Sequence, residues 1–296
     1  MLRERFPDLL PHLSAGLFGR GSECFGYDDA TSQDHDFEPG FMLLLPDEDV
    51  LDRRTAFLLE RAYAKLPRAF MGLRRSLTTP VGGARRGVLR LSEVLSDLIG
   101  SSDGCLSLGQ WLSLPEHALA EAVNGEVFYD GNGALGHIRA GLAYYPEDVR
   151  RKKLAGQLLL MAQAGQYNYG RCLKHGETGA AQLACIDFAR SAMHVIFLLN
   201  RVYMPYYKWS FRAMRALPEL DLLAELLEYL ISTDNESAMA EAKQDVIEGI
   251  CSDVIDALKR QALSSVDHDD LEKHAYSVND GIADAALRNA HVLSAV

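Results

Sequence analysis

The feature that most constrains the fold is a change of pattern close to residue 130. Up to that point, clusters of glycine and proline separate short apolar runs, and residues 43–45 and 88–91 have the length and composition of strands. Residues 47–66 of the same region instead show the helical spacing of apolar side chains. The first part of the chain therefore predicts a small mixed sheet with flanking helices.

Beyond residue 134 the apolar residues follow a helical period almost throughout. The predicted helical stretches are 149–166, 180–200, 217–235, 238–263 and 267–293. A chain of 296 residues is also long enough for two domains. We therefore expect an α+β protein with a first domain at residues 1–133 and an all-helical domain at residues 134–296.

The composition indicates which partners the protein does not bind and in which compartment we expect it. Acidic residues outnumber basic ones by 41 to 30, so the chain lacks the broad basic surface of a protein that binds duplex nucleic acid. There is no run of about 18 uncharged apolar residues and no signal-like apolar segment at the start, so we expect no membrane partner. The five cysteines have no CxxC spacing, which is typical of reduced thiols in a cytoplasmic protein.

A glycine-rich turn is the first part of a candidate site. The apolar run 15–18 leads into Gly19-Arg20-Gly21-Ser22. Glycines allow a tight turn and close approach to a ligand, and a helix that starts there presents free N–H groups. We expect Gly21 and Ser22 to bind nucleotide phosphates, although such a turn by itself is most often only a turn.

A pair of aspartates is the second part. Asp34 and Asp36 are separated by one residue and lead into the apolar strand. On a strand they would point to the same side, where two carboxylates repel each other unless a cation lies between them. Oxygen ligands of this kind suit Mg²⁺ together with substrate phosphates. The alternative is a solvated loop. A glycine-rich turn followed by paired acids is, however, a more specific signal for a metal site than either motif by itself.

Together these motifs carry a family resemblance. Gly-Ser followed by Asp-x-Asp resembles the nucleotidyltransferase superfamily of the polymerase-beta type, which includes the aminoglycoside nucleotidyltransferases. More narrowly, the chain resembles the family labelled domain of unknown function 4037, from about residue 10 to about residue 220. Besides the turn and the aspartates, the segments that carry this narrower resemblance are 125–130, 142–146, 166–168, 198–200 and 203–209.

The resemblance implies an enzyme with a nucleotidyltransferase domain, a helical domain and substrate bound in the cleft between them. Such enzymes move a nucleoside monophosphate from a nucleoside triphosphate, ATP among them, to an acceptor; the acceptor here is not identified. Asp34 and Asp36 would be catalytic and would hold one or two Mg²⁺ or Mn²⁺ ions. Gly21 and Ser22 would hold the β- and γ-phosphates.

A third acid, which the superfamily usually carries on a later strand, is hard to find. The corresponding strand has no acid at its centre. The nearest catalytic candidate is Glu93, but the sequence also predicts that Glu93 belongs to a helix that starts near Ser92. Glu126 and Asp130 are outside candidates. The alternative is therefore a protein with the same fold that has lost catalytic activity. Such a protein would bind nucleotide or act as a regulatory or antitoxin-like interaction protein.

Two further residues of interest, Lys208 and His194, lie in the second half of the chain. Lys208 lies among Tyr206, Tyr207 and Trp209, where it either reaches nucleotide phosphates or packs its stem on the aromatic rings. His194 lies on an apolar helix, and we expect it to be buried and hydrogen-bonded.

Overall fold

The computed structural model describes residues 2–33, 40–67, 69–74 and 86–296. The chain divides into two compact units. Unit 1 consists of the residues up to Leu106 together with His117–Ala143, and unit 2 consists of Ser107–Glu116 together with Tyr144–Val296. The boundary expected between residues 133 and 134 lies within unit 1, and a short segment from the first half of the chain belongs to unit 2.

The strands found among the described residues all belong to unit 1. They are β1 (Ser14–Leu17), β2 (Met42–Leu45), β3 (Ala69–Phe70), β4 (Leu73–Arg74), β5 (Gly87–Arg90) and β6 (Glu126–Asp130). Four of them form a sheet in the order β5-β2-β1-β6, in which β2 and β5 run parallel and the other neighbours run antiparallel, while β3 and β4 form a separate pair. The predicted α+β class with a small mixed sheet is confirmed.

Short helices accompany this sheet. They are α1 (Leu2–Arg5), α2 (Ser22–Phe25), α3 (Arg53–Ala64), α4 (Leu91–Ile99), α6 (Glu116–Val123), which starts at the boundary between the units, and α7 (Ala134–Gly141). Leu13, Leu43 and Leu59 are buried in one cluster, where α3 packs on β1 and β2. The hydroxyl of Tyr63 donates to the carbonyl oxygen of Phe41 at 2.7 Å and so ties α3 to the strand.

Unit 2 is helical, and within the described ranges no strand follows β6. Its helices are α5 (Leu108–Ser113), α8 (Glu147–Met161), the π-helix Ala162–Tyr169, α9 (Gly170–Lys174), α10 (Thr178–Leu199), α11 (Tyr207–Met214), α12 (Leu223–Ser232), α13 (Ser237–Arg260), α14 (Leu271–Asp280) and α15 (Ala285–Asn289). In the described part of the chain, α10 is the one helix long and apolar enough to cross a membrane, but most of that apolar stretch is buried inside the protein. A core helix of a globular protein has this character.

The cysteines agree with the expectation of free thiols. All five lie within the described ranges and none forms a disulfide. Cys185 and Cys251 are buried, and burial raises the pKa of both thiols. Both thiols therefore stay protonated and unreactive.

Candidate functional site

The glycine-rich turn follows β1 directly and has a backbone that favours glycine. Gly19 and Gly21 have φ values of +103° and +127°. The side chain of Asn124 fixes the turn, because its Oδ1 accepts the N–H of Gly19 at 2.8 Å and its Nδ2 donates to the carbonyl oxygen of Gly19 at 2.9 Å. α2 starts at Ser22, next to this turn. The turn is therefore a defined conformation in which a side chain at residue 21 would strain the backbone.

The strand register assigns this turn to one edge of the sheet. Gly16, near the end of β1, lies opposite Met42 at the start of β2, and Met42 lies beside Gly87 at the start of β5. The end of β1 and the starts of β2 and β5 therefore meet at the same edge. We call it the turn edge.

The predicted metal ligands cannot be located in the same way. Asp34 and Asp36 lie outside the described residues. In the sequence they stand between Gln33, which ends a short 3-10 helix after the turn, and Gly40, which precedes β2. Among the described residues, no group of three or more histidine, cysteine, aspartate or glutamate side chains is placed to hold a metal ion.

A partly buried ion pair also lies at the turn edge. Arg86, directly before β5, pairs through Nη2 with Oε1 of Glu23 in α2, and the Arg86 side chain is 10% exposed. The Glu23 carboxylate folds over Gly21, so that a Cβ on Gly21 would lie 2.5 Å from Glu23 Oε2. Sequence reasoning missed this pair because its members are 63 residues apart. The pair places a guanidinium group close to the predicted phosphate turn.

Glu93, the predicted third acid, lies elsewhere. It is exposed in the first turn of α4, which follows the end of β5 and therefore begins at the edge opposite the turn edge. α4 then runs back, and it is Asp97 that reaches the turn, where its Oδ2 lies 3.1 Å from Nη1 of Arg20. The structure thus does not bring Glu93 next to Gly21 and Ser22. Of the outside candidates, Glu126 starts β6 opposite Leu17 at the turn edge, and Asp130 accepts the hydroxyl of Ser14 at 2.7 Å at the other end of β6.

Lys208 belongs to unit 2, in the first turn of α11. Its side chain is exposed, and its Nζ lies 5.1 Å from the ring centroid of Trp209. The rings of Tyr206 and Tyr207 pack on each other with centroids 4.6 Å apart. Contact with the aromatic ring is therefore present, and the exposed ammonium group remains available to a ligand.

The segment Gln166-Tyr167-Asn168 lies in the π-helix that continues α8. π-Helical segments inside longer helices are frequent at functional sites. Gln166 is fully hydrogen-bonded: its Nε2 donates to Glu248 and to the backbone of Asp269, and its Oε1 accepts the N–H of Leu271. The side chains of Tyr167 and Asn168 are exposed.

Two grooves flank the π-helix, and both are lined by Gln163 and Asn168. The first, of about 540 Å³, we call the acidic groove, since its other wall is formed by His268, Asp269, Asp270 and Glu272. The second, of about 550 Å³, we call the Arg190 groove, since α10 contributes Asp187, Arg190, Ser191 and His194 to it.

His194 is hydrogen-bonded as expected but is not fully buried. Its Nδ1 lies 2.9 Å from Oε1 of Glu116, and its side chain is 21% exposed in the Arg190 groove. Glu116 is buried, and its other oxygen accepts the N–H of Met204 at 3.1 Å. The sequence held no sign of this pairing, because 78 residues separate Glu116 from His194.

Residues 111–210 match the family described as domain of unknown function DUF4037. No curated protein matches the chain. The match agrees with the narrower resemblance noted in the sequence. It covers Glu116, the π-helix, His194 and Lys208, and it does not extend to the glycine-rich turn or to the aspartate pair.

Several motif residues of the DUF4037 match have packing roles. Tyr144, Tyr145 and Tyr203 form one aromatic cluster with ring centroids 4.9–5.4 Å apart. Burial, with a smaller contribution from the Glu116 carboxylate, raises the pKa of Tyr145 and Tyr203 above the usual range of a phenol. Asn200 ties the end of α10 to Glu219 through two hydrogen bonds of 2.9 and 3.0 Å. These residues hold the DUF4037 region together, whereas Lys208, Asn168 and His194 present polar groups at its surface.

Proposed function

We propose that the protein is a Mg²⁺-dependent nucleotidyltransferase. It moves a nucleoside monophosphate from a nucleoside triphosphate to an acceptor that is not yet identified. The observation that carries this proposal is the turn edge: the glycine-rich turn after β1 and the strand that follows the aspartate pair meet there. The DUF4037 match agrees with the family part of the resemblance, and the superfamily assignment is part of the proposal.

The described residues at this edge suit a triphosphate. Gly21 itself has no side chain, and the Glu23 carboxylate that lies over it turns away when a phosphate binds in this proposal. The N–H groups at the start of α2 and the hydroxyl of Ser22 can then donate to phosphate oxygens. Arg86 adds a guanidinium group, which recognises phosphate through paired donors. The turn therefore offers several donors to the β- and γ-phosphates.

In the proposed reaction an acceptor oxygen attacks the α-phosphorus, the bond to the bridging oxygen breaks, and pyrophosphate leaves. Asp34 and Asp36 would hold Mg²⁺ or Mn²⁺, which supplies charge neutralisation on the triphosphate. The protein contributes mainly by holding the reactants in line. Reduced cysteines fit the cytoplasm, where nucleoside triphosphates and Mg²⁺ are abundant.

A second candidate is a catalytically degenerate nucleotide-binding or interaction protein. It is favoured by β5, which reads Gly87-Val88-Leu89-Arg90 and carries no acid. Arg90 points its guanidinium group at backbone carbonyl oxygens, including that of Leu51 at 2.8 Å. If the third acid is required, Glu126 is the described candidate at the turn edge and Glu93 is not.

The deciding experiment is a transfer assay with the full chain. Each ribonucleoside triphosphate, labelled at the α-phosphate, is incubated with Mg²⁺ and cell extract, and label on an acceptor is counted. We expect Asp34→Asn and Asp36→Asn each to lower transfer by about 100-fold or more, because a charged metal ligand is lost. The matched control is Asp49→Asn, which changes an exposed aspartate of unit 1 by the same atoms.

Thermal unfolding separates the two candidates. A triphosphate that binds the native state raises the melting temperature. A rise with triphosphate and Mg²⁺ but no transfer would establish the degenerate binder. No rise with any triphosphate would contradict the enzyme and the degenerate nucleotide binder and would leave the interaction protein. Unfolding of the Asp34→Asn protein would show that the aspartate is structural.

A further inference from the structure

We propose that the Arg190 groove in unit 2 is a second ligand site, which binds a small molecule through an oxyanion group. The proposal is independent of the nucleotidyltransferase reaction and rests on residues of unit 2 alone. The groove has a volume of about 550 Å³. That lies within the range of pockets that hold small organic ligands.

The orientation of His194 is the first argument. The ionised carboxylate of Glu116 only accepts hydrogen bonds, so the proton of the imidazole lies on Nδ1, and Nε2, on the other side of the ring, is left for a ligand. When Nε2 carries a proton, it donates to a carboxylate or phosphate oxygen. When Nε2 carries no proton, it only accepts, so it then binds a hydroxyl group such as the P–OH of monohydrogen phosphate.

The position of Arg190 is the second argument. It lies one helical turn before His194 on α10, and both side chains line the groove. Among the described side chains that line the groove, its one acidic neighbour is Asp187. Asp187 Oδ1 is 3.8 Å from Arg190 Nη1, and both side chains are 66% exposed. A pair this exposed is weak, so the guanidinium group is free to turn to a ligand.

The charge of the two grooves is the third argument. The acidic groove carries Asp269, Asp270 and Glu272, whereas the side chains that line the Arg190 groove include one arginine and one acid. The Glu116 carboxylate is buried and already bound by His194 and by the N–H of Met204, so it adds no exposed charge. An anion is therefore better accepted in the Arg190 groove.

The other residues that line the Arg190 groove indicate which further groups the ligand carries. Within the described residues, the side chains of Gln163, Asn168 and Ser191 make no hydrogen bond with the protein, so their polar groups are free for a ligand. Leu160 and Leu183 supply apolar surface. The ligand class is therefore a small organic molecule with a phosphate or carboxylate group and further hydrogen-bonding atoms.

The test follows the imidazole of His194 by NMR in the full chain, labelled with ¹⁵N-histidine. His194→Gln identifies its signals among the nine histidines. Inorganic phosphate and acetate are titrated separately. We expect a saturable shift of the His194 signals, and Arg190→Gln should weaken binding about tenfold, as expected for one charge-assisted hydrogen bond. A response to phosphate alone identifies a phosphate ligand, and a response to acetate identifies a carboxylate ligand.

The matched control is Lys273→Gln. It removes one exposed positive charge from α14 and should leave the titration unchanged. A His194 signal that responds to neither anion would overturn the proposal. Equal weakening by Arg190→Gln and Lys273→Gln would also overturn it, because the response would then reflect net charge and not the groove.

Discussion

The two units differ in how deeply they bury their lysine and arginine side chains. Among the described residues, the four lysine and arginine side chains that are buried all belong to unit 2: Arg150, Lys152, Lys153 and Lys243. In unit 1 the described cations are at least partly exposed, and Arg20 and Arg86 pair with carboxylates. Burying a charge is costly unless other groups replace its water. Unit 2 thus uses cations as part of its interior, whereas the described cations of unit 1 all keep some contact with solvent.

Backbone and amide oxygens replace the water in unit 2. Nζ of Lys152 donates to Asn279 Oδ1 at 2.9 Å and to the carbonyl oxygen of Ala290 at 2.7 Å. Nζ of Lys153 donates to the carbonyl oxygen of Leu112 at 2.8 Å. Burial lowers the pKa of both ammonium groups. Lys152 and Lys153 join segments that are distant in the sequence. We therefore expect their replacement to lower the stability of unit 2 and to leave ligand binding unchanged.

The largest expected effect is on the stability of unit 2. Nζ of Lys243 donates to four oxygens at 2.9–3.3 Å, on Gln182, Thr233, Asp234 and Asn235. Lys243→Met removes the lysine donor from the carbonyl oxygens of Thr233 and Asp234, whereas Gln182 Oε1 and Asn235 Oδ1 each keep one other donor. Each buried acceptor left unpaired costs about 1–3 kcal/mol. We expect the free energy of unfolding in urea to fall by about 3 kcal/mol or more.

The control for this change is Lys259→Met on the same helix. Lys259 is exposed and pairs with Asp267 at 3.4 Å, so its loss should cost at most about 1 kcal/mol. Equal losses for both variants would show that the Lys243 contacts contribute nothing beyond those of a surface lysine.

The next effect concerns the glycine-rich turn of unit 1. Gly21→Val forces a β-branched residue to φ +127° and displaces the Glu23 carboxylate. We expect unit 1 to lose about 1–3 kcal/mol of stability from backbone strain, and triphosphate binding to be lost with it. Gly141→Val, at an exposed helix end with open space around it, should be nearly neutral. Unimpaired triphosphate binding by Gly21→Val would remove the turn from the proposed site.

Much of the architecture was predictable because it depends on local patterns. The apolar runs that became β2 and β5 and the long helices α8, α10 and α13 show their periods within a few residues of sequence. The free cysteines followed from composition. The glycine-rich turn was also a local signal, and Gly19 and Gly21 adopt positive φ values there.

What sequence reasoning missed depends on contacts between distant residues. Glu116 and His194 show no shared pattern, and neither do Lys243 and its partners up to 61 residues away. Glu93 was chosen for its nearness in sequence to β5, but the direction of that strand carries it to the other edge of the sheet. The roles of Asp34, Asp36, Gly21, Ser22 and Lys208 in binding remain predictions.

A smaller effect distinguishes two buried tyrosines of unit 2. The hydroxyl of Tyr145 is buried and has no hydrogen-bond partner among the described residues, whereas that of Tyr169 donates to Asn235 Oδ1 at 3.1 Å. Tyr145→Phe should therefore raise the free energy of unfolding by about 1 kcal/mol, and Tyr169→Phe should lower it by a similar amount. Urea unfolding at neutral pH measures both, and the same sign for both would contradict the assignment of the hydrogen bonds.

Alkaline pH gives a second measure of the same residue. Burial raises the pKa of Tyr145 above its ordinary value of 10.0, so the folded protein keeps a proton that the unfolded chain loses above pH 10. Stability is therefore lost as the pH rises above 10. Tyr145→Phe should make this loss less steep, and an unchanged slope would mean that the hydroxyl already ionises in the folded state.

The smallest expected change in stability is at Lys208, the exposed cation of unit 2 that the sequence assigns to nucleotide binding. Its ammonium group lies 5.1 Å from the Trp209 ring centroid, and an exposed cation–π contact is worth about 0.5–1 kcal/mol. Lys208→Gln should therefore barely change the melting temperature. If Lys208 contacts the triphosphate before and during transfer alike, KM rises by about tenfold while kcat stays near its original value, since uniform binding is lost. Lys174→Gln, which removes another exposed lysine of unit 2, should change neither constant. An unchanged KM for Lys208→Gln would restrict this lysine to packing on the aromatic rings, and unit 2 would then have no described cation assigned to the nucleotide.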